Sequence, residues 1–304
     1  MIPEFPEFKK LELSDKEDVE KFTSKYPPYA DHNFLGTWSW DVREQMQISQ
    51  LDGNYVIHFS SYDLGERFYT FLGDNNINNT IRELIDLSKK QNLKPELKLI
   101  PEAVIGDVDK NLFNVLEDRD HFDYVYDIEE LKNYKGGKFE SKRRESNNFT
   151  KKYQNAKVVI LDLRDKNIQK NILGLYKRWS ENKLKKEPEF NFNHEIIVLE
   201  KFFSASDKLD LISVGVFIDS ELVAFCIDEL KKSEYAISHV IKADPLFTGA
   251  YSFLMQRNAE ILYTKGKKYF NYEQDVGSPS LRVAKTLFRP CFFLKKYLIA
   301  YKNL

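Results

Sequence analysis

Apolar positions follow two periods along the chain, and the switches between them predict its elements. Helical spacing puts Ile81, Leu84, Ile85 and Leu87 on one face of TIRELIDLSKKQN, behind an Asn79-Thr80 cap. It puts Ile168, Ile172, Leu175 and Trp179 on one face of a helix over 165–182, with another helix over 193–206. The KLKKEPEFNF segment between those two reads as a charged, mobile linker. Near the start, Ser14-Asp15-Lys16-Glu17 reads as a capping box that opens a short helix ending near Ser24. Pro27-Pro28 then predicts an extended turn with Trp38 and Trp40 clustered behind it. QMQISQLDGNYVIHFSS reads as two strands joined at Asp52-Gly53-Asn54, RFYTFLG as a third, and LKPELKLIPEAVI as extended chain.

A polar stretch, EDRDHFD (117–123), marks a boundary between a domain over 1–120 and one over 121–304. Beyond it, FDYVYDIEELKNY predicts a strand and a short helix, and a basic helix then runs into the strand KVVILDL. LDLISVGVFI, ELVAFCIDEL and EYAISHVIKA predict an antiparallel meander, followed by Gly249, a helix over AYSFLMQRNAEILYTKG and a strand over KKYFNYEQD. FFLKKYLIAY reads as one closing strand. A meander, a glycine-containing turn, a helix and another strand form the core order of the acyl-CoA N-acyltransferase (GNAT-like) fold, though many α+β domains share that order. The first domain repeats the order in degenerate form without a comparable polar cluster, so it is expected to be non-catalytic.

At 304 residues the chain exceeds what one core usually supports, which agrees with two domains. With 42% hydrophobic and 31% charged residues it reads as globular, and its 14% aromatic content suits sheets. A net charge of −1 leaves any nucleic-acid contact to a local patch. The start lacks a basic segment followed by an apolar core, and no run approaches the roughly 20 apolar residues that span a bilayer. A cytoplasmic protein with no integral membrane segment is expected. Cys226 and Cys291 sit in apolar runs and read as buried free thiols. His32, His58, His121 and His194 are scattered without metal-ligand spacing, so no metal is expected. His239 reads as a satisfied strand histidine rather than a base.

The stretch FNYEQDVGSPSLRVAKTLFRP resembles the C-terminal signature of the DUF2156 family, related to the soluble catalytic domain of phosphatidylglycerol lysyltransferases. Asn271, Glu273, Asp275, Gly277, Leu281, Arg282, Lys285 and Pro290 carry the likeness. HVIKADPLFTGAYSFLMQ, FDYVYDIEELKNYKGGKFESKRRESNNF and YADHNFLGTWSW also resemble blocks of that family. The resemblance implies two GNAT-like domains in tandem, as in Fem-type aminoacyl transferases, each a mixed sheet flanked by helices. It implies no particular substrate.

Asn271, Glu273 and Asp275 alternate near a strand end, which predicts three polar side chains on one face. Arg282 and Lys285 follow at i,i+3 on a helix, so carboxylates are expected to face cations across Gly277. Glu273 and Asp275 would position or deprotonate a nucleophile, with Arg282 and Lys285 on an anionic group. The same residues also read as a structural ion-pair network. Gly249 precedes a helix whose N-terminus, in GNAT folds, receives a pyrophosphate. A single glycine in FTGAY puts coenzyme A in doubt; a plain turn with Tyr251 packed beside it is the other reading. Lys138, Lys142 and Arg143 lie in a basic interval that reads either as a contact to the acceptor stem of a tRNA or as a solvated face. The expected function is transfer of an acyl or aminoacyl group from acyl-CoA or aminoacyl-tRNA to a small-molecule amine or hydroxyl acceptor. The alternative is a non-catalytic GNAT-like module binding RNA or a metabolite.

Overall fold

In the computed structural model, residues 1–60, 65–185 and 193–302 are described. The first part of the chain forms β1 (Lys9–Lys10), α1 (Lys16–Thr23), α2 (Phe34–Trp40), β2 (Gln47–Leu51), β3 (Asn54–Ser60) and β4 (Arg67–Leu72). It continues through α3 (Ile77–Lys90), β5 (Glu96–Pro101), α4 (Glu102–Ile105) and β6 (Phe113–Glu117). Next come β7 (Asp123–Asp127), α5 (Ile128–Asn133), α6 (Glu140–Lys152), β8 (Lys157–Ile160), α7 (Lys166–Leu184) and α8 (Asn193–Ala205). The meander is β9 (Leu211–Ile218), β10 (Glu221–Leu230) and β11 (Tyr235–Ala243), followed by α9 (Ala250–Thr264) and β12 (Tyr269–Asn271). The chain closes with α10 (Pro279–Thr286), β13 (Phe292–Leu294) and β14 (Lys296–Tyr301).

These elements form two compact units. Unit 1 comprises Met1–Tyr124, Gln274–Arg282 and Phe293–Leu304; unit 2 comprises Val125–Glu273 and Val283–Phe292. The expected division at 120/121 ran once along the chain, whereas the observed one is crossed again at 273/274, 282/283 and 292/293. The sheets have the orders β1-β2-β3-β4-β5-β14-β6 and β13-β7-β12-β11-β10-β9-β8, each a mixed sheet with helices packed on it. The fold is α+β with two GNAT-like sheets. No described helix is long and apolar enough to cross a membrane.

Unit 1 is built on the periodicity of α3. Ile77, Ile81, Leu84 and Ile85 are buried against Tyr69, Phe71, Leu97, Ile100 and Ile299. Each such side chain contributes about 1.5–3 kcal/mol by leaving water. The hairpin forms as expected, with Leu51 opposite Asn54 and Gly53 at a positive φ of 79° that suits glycine.

Several local expectations change. Asn79-Thr80 does not cap α3, which starts at Ile77 behind Asn76, and the end of the LKPELKLIPEAVI segment folds into α4 rather than staying extended. The aromatic run after Asn33 is a helix, α2, and Phe34 stacks on Trp38 one turn away, with ring centroids 6.2 Å apart. Asn33, in extended backbone ahead of Phe34, marks its start. The first capping box joins Glu12 and Asp15 rather than Ser14 and Glu17, and precedes α1. β6 forms just ahead of the expected boundary stretch and overlaps its first residue, Glu117, because β14 supplies a pairing partner. FFLKKYLIAY breaks at Lys295 into strands that join different sheets. Part of the KLKKEPEFNF linker, 186–192, lies outside the described residues.

Candidate active site

In unit 2 the meander is continuous, and β12 adds to its edge in parallel. That pairing covers only Tyr235–Tyr269, Ala236–Phe270 and Ile237–Asn271. β12 ends there, while β11 continues to Ala243. The two strands therefore part just beyond Ile237 and Asn271. At the same place the register of β10 and β11 slips: Asp228 faces Ser238, but Ile227 faces Val240. His239 is the residue skipped. A bulge of this kind re-aims a side chain.

The re-aimed imidazole lies between two carboxylates. Its Nδ1 is 3.0 Å from Glu273 Oε1 and its Nε2 is 3.2 Å from Glu229 Oε2. Phe202 of α8 covers the ring at 5.5 Å. Burial works against a charged imidazole, yet the two carboxylates outweigh it and raise its pKa to about 9. Glu229 is buried too, and burial alone would raise its pKa; Lys231, 2.8 Å away, and His239 instead hold it down at about 2. Both inner members are sealed, whereas the Glu273 side chain is 19% exposed. The Glu273 backbone has a φ of 54°, and its N–H donates to Asn271 Oδ1 at 2.8 Å. Asn271, fully buried, thus holds an unfavourable backbone in place.

Beside α9, a second polar group surrounds Asp228. Its Oδ2 accepts from Asn258 Nδ2 at 2.6 Å and from the Cys226 thiol at 3.5 Å. Burial raises the Asp228 pKa to about 6 despite the Asn258 contact. The Ser238 hydroxyl stands close enough to the Asp228 carboxylate to pull its pKa down, while Asp228 Oδ1 and Asn258 Oδ1 accept from no group among the described residues. A buried acceptor left so costs about 1–3 kcal/mol. Nearby, the hydroxyls of Tyr251 and Tyr272 touch.

The residues singled out from sequence do not converge on one face. β12 ends at Asn271, and the positive φ of Glu273 and of Val276 (47°) breaks the strand alternation that the expectation relied on. Asp275 belongs to unit 1, where Arg282 Nε (3.0 Å), Arg282 Nη2 (2.9 Å), Tyr124 (2.6 Å), Arg119 (3.3 Å) and the Gly277 N–H (3.0 Å) all donate to it. A carboxylate facing a cation across Gly277 is thus present, as the pair Asp275–Arg282. Lys285 shares α10 with Arg282 but donates to the Tyr272 carbonyl in unit 2.

The glycine before α9 has a structural role. Gly249 has a φ of 90°, and a Cβ there would stand 2.6 Å from the Glu145 carbonyl oxygen. The first turn of α9 already meets a carboxylate, since Ser252 donates to Glu145 and Lys142 pairs with Glu145 at 2.9 Å. Lys138, placed in a short 3-10 turn (Gly137–Phe139) ahead of α6, pairs with Glu130 at 2.6 Å. Arg143 donates to the carbonyls of Tyr134 and Gly136. Cys226 is buried, but Cys291 is exposed, because the chain between Arg289 and Phe292 forms a bend rather than a strand.

Unit 1 is not free of polar clusters either. Lys296 Nζ donates to Asp31, to Asp123 at 2.6 Å and to Gln274 at 2.8 Å. Gln274 donates to Asp31 at 3.0 Å, and the Ala30 N–H donates to Asp123 at 2.9 Å. Lys296, Asp31 and Asp123 are fully buried. Burial and the neighbouring Asp31 raise Asp123 to about 6 against the pull of Lys296. Two sequence signals pointed to the missed residues: adjacent acids, Asp228-Glu229, inside an apolar strand, and a lysine opening the apolar run KYLIAY.

Residues 23–300 match the family described as "Phosphatidylglycerol lysyltransferase, C-terminal". No curated protein matches the chain in sequence. A conserved protein of unknown function from Bacteroides thetaiotaomicron is similar in structure, with a TM-score of 0.85 and 25% identity over 99% of this chain and 100% of that one. L-PGS from Bacillus licheniformis gives 0.61 at 13% identity, covering 100% of this chain and 95% of that one. The C-terminal domain (DUF2156) of a protein from Agrobacterium fabrum assigned as a lysylphosphatidylglycerol synthetase gives 0.58 at 14% identity, covering 94% and 92%. At these identities the last two show a shared fold.

Proposed function

The chain belongs to the phosphatidylglycerol lysyltransferase C-terminal family, and on that premise we propose that it transfers an acyl or aminoacyl group from an ester or thioester donor to an amine or hydroxyl acceptor, at the parting of β11 and β12. The observation that carries this reading is the chain of Glu229, His239 and Glu273 at that parting, sealed at one end and open to solvent at the other. Sealed ionisable groups that end in one accessible carboxylate suit proton transfer at a fixed point.

In this reading the acceptor oxygen or nitrogen forms the new bond to the donor's carbonyl carbon, and its proton passes to the free end of Glu273. The donor's C–O or C–S bond then breaks, and the proton returns to the leaving group. His239 is charged and does not act as the base; it holds the Glu273 carboxylate in position. Asn271 is a positioning residue through the Glu273 backbone. Much of the acceleration comes from orientation.

At the first turn of α9 Ser252 already donates to Glu145, which is paired with Lys142, so the place a pyrophosphate would take is filled, and this supports an ester donor such as aminoacyl-tRNA over acyl-CoA. Lys138, Lys142 and Arg143 all have partners within the protein, so the reading does not rest on them.

The test is turnover of radiolabelled lysyl-tRNA and of acetyl-CoA by the purified chain and by Glu273→Gln. Transfer from lysyl-tRNA is expected, with a loss of about 100-fold in the variant, as for a removed general base, and a melting temperature that is lowered while the protein still folds, because His239 keeps Glu229 as its partner. Undiminished turnover in Glu273→Gln would remove Glu273 from the chemistry. Absence of turnover with either donor would leave a GNAT-like binding module.

A further inference from the structure

The parting of β11 and β12 has a polar feature on each face of the sheet. Asp228 and Glu229 are consecutive on β10, so their side chains point to opposite faces. Glu229 belongs to the chain that ends in the Glu273 carboxylate, whereas Asp228 meets Asn258 of α9. On that second face stands Tyr251, in the first turn of α9, and its hydroxyl touches the hydroxyl of Tyr272. Tyr272 is the first residue beyond β12 and the one before Glu273.

The two hydroxyls have each other and, among the described residues, no further hydrogen-bond partner. Two phenols hold two O–H hydrogens, and the bond between them uses only one. Whichever oxygen accepts, its own hydrogen is left to point elsewhere. Burial and the Tyr251 hydroxyl push the Tyr272 phenol well above its ordinary pKa, and burial does the same to Tyr251, so both stay protonated near neutral pH. The rings are fixed from several sides. Tyr272 stacks on Phe270 at 6.0 Å with the Lys285 ammonium 4.4 Å over its ring, and Tyr251 packs on Phe288 at 5.7 Å. Unlike the sealed Asp228, both tyrosines keep part of their surface in solvent. A fixed O–H with its hydrogen unspent suits a place where negative charge develops.

Resting on the transfer function above, we infer that the Tyr251–Tyr272 pair hydrogen-bonds the carbonyl oxygen of the acyl donor from the α9 face, while Glu273 serves the acceptor from the other. The carbonyl then lies in the gap where β12 ends, within reach of both faces. As the acceptor's nitrogen or oxygen bonds to the carbonyl carbon, the C=O π pair moves onto the carbonyl oxygen, and the spare O–H meets that charge. When the donor's C–O or C–S bond breaks, its electrons go with the leaving group and the C=O bond re-forms. Neither tyrosine gives up its proton, so the proton path through Glu273 is unaltered.

The experiment compares steady-state turnover by the full chain with that of Tyr251→Phe, Tyr272→Phe and the double variant, using whichever of lysyl-tRNA and acetyl-CoA the wild type accepts. Phenylalanine keeps the ring contacts and removes only the oxygen, so all three variants are expected to fold. The double variant has no O–H left and should lose about 100-fold in kcat with KM little changed, as for a deleted oxyanion donor. Each single variant keeps one O–H but loses the hydroxyl that aims it, and should lose about tenfold in kcat. The single variants carry the test if the double variant does not fold. Wild-type kcat in the double variant, wild-type kcat in both single variants, or a rise in KM alone would each overturn the inference and make the pair a structural clamp. Turnover that survives the double variant but falls in Glu273→Gln would leave the transfer mechanism standing without this donor. No turnover by the wild type would overturn both.

Discussion

Both units place one cation between two carboxylates, and they use that arrangement differently. In unit 1, Lys296 lies between Asp31 and Asp123, with all three side chains fully buried and Gln274 closing the set. In unit 2, His239 lies between Glu229 and Glu273, and one carboxylate reaches solvent. The lysine, whose burial is outweighed by the two aspartates that raise its pKa, stays charged, and its side chain is closed to solvent. The imidazole, with its pKa raised to about 9, titrates at mildly alkaline pH, and its outer carboxylate can meet a substrate. The same charge pattern is closed to solvent in unit 1, whereas in unit 2 it reaches solvent through one carboxylate.

The largest expected effect comes from breaking the sealed set. Lys296→Met leaves two buried carboxylates without their cation and should lower unfolding free energy in urea by about 3–5 kcal/mol. Adding Asp31→Asn to that variant should recover part of the loss; no recovery would mean that packing rather than charge dominates at this site.

The open set should show itself through pH. His239 has a folded pKa of about 9 against an ordinary 6.5. Its contribution to stability is therefore fully present below pH 6.5 and is lost as the pH rises through 9. The difference amounts to about 3 kcal/mol. Urea midpoints between pH 6 and 10 measure it, and His239→Gln should remove this part of the dependence. An unaltered profile in that variant would transfer the effect to other groups.

The smallest effect sharpens the contrast at the open end. Asn271→Ala removes the acceptor of the Glu273 N–H and should cost about 1 kcal/mol of stability. Turnover should fall more than stability does, because the Glu273 side chain loses its aim. Equal turnover at the lower stability would make Asn271 purely structural.

Much of unit 2 was legible from local pattern. The β9–β11 meander, the glycine before α9 and the block from Asn271 to Pro290 follow from alternation, turn residues and family likeness. Gly249 illustrates the limit: the sequence showed a glycine ahead of a helix, but only the structure shows that a Cβ would strike the Glu145 carbonyl. Glu273 was singled out from strand alternation, and its positive φ removes it from that alternation. Arg282 and Lys285 share a helix, yet Arg282 pairs with Asp275 and Asp120 while Lys285 donates to the Tyr272 carbonyl.

The sequence by itself determined the period of each long element, the hairpin at Asp52-Gly53, the α+β class and the family, because those depend on residues close together in the chain. Tertiary structure decided which charges meet. Asp31 and Lys296 are separated by most of the chain, and Glu229, His239 and Glu273 are brought together by strand pairing and one bulge. A buried charge is tolerated only beside its partner, and that partner is chosen by the fold rather than by the neighbouring sequence.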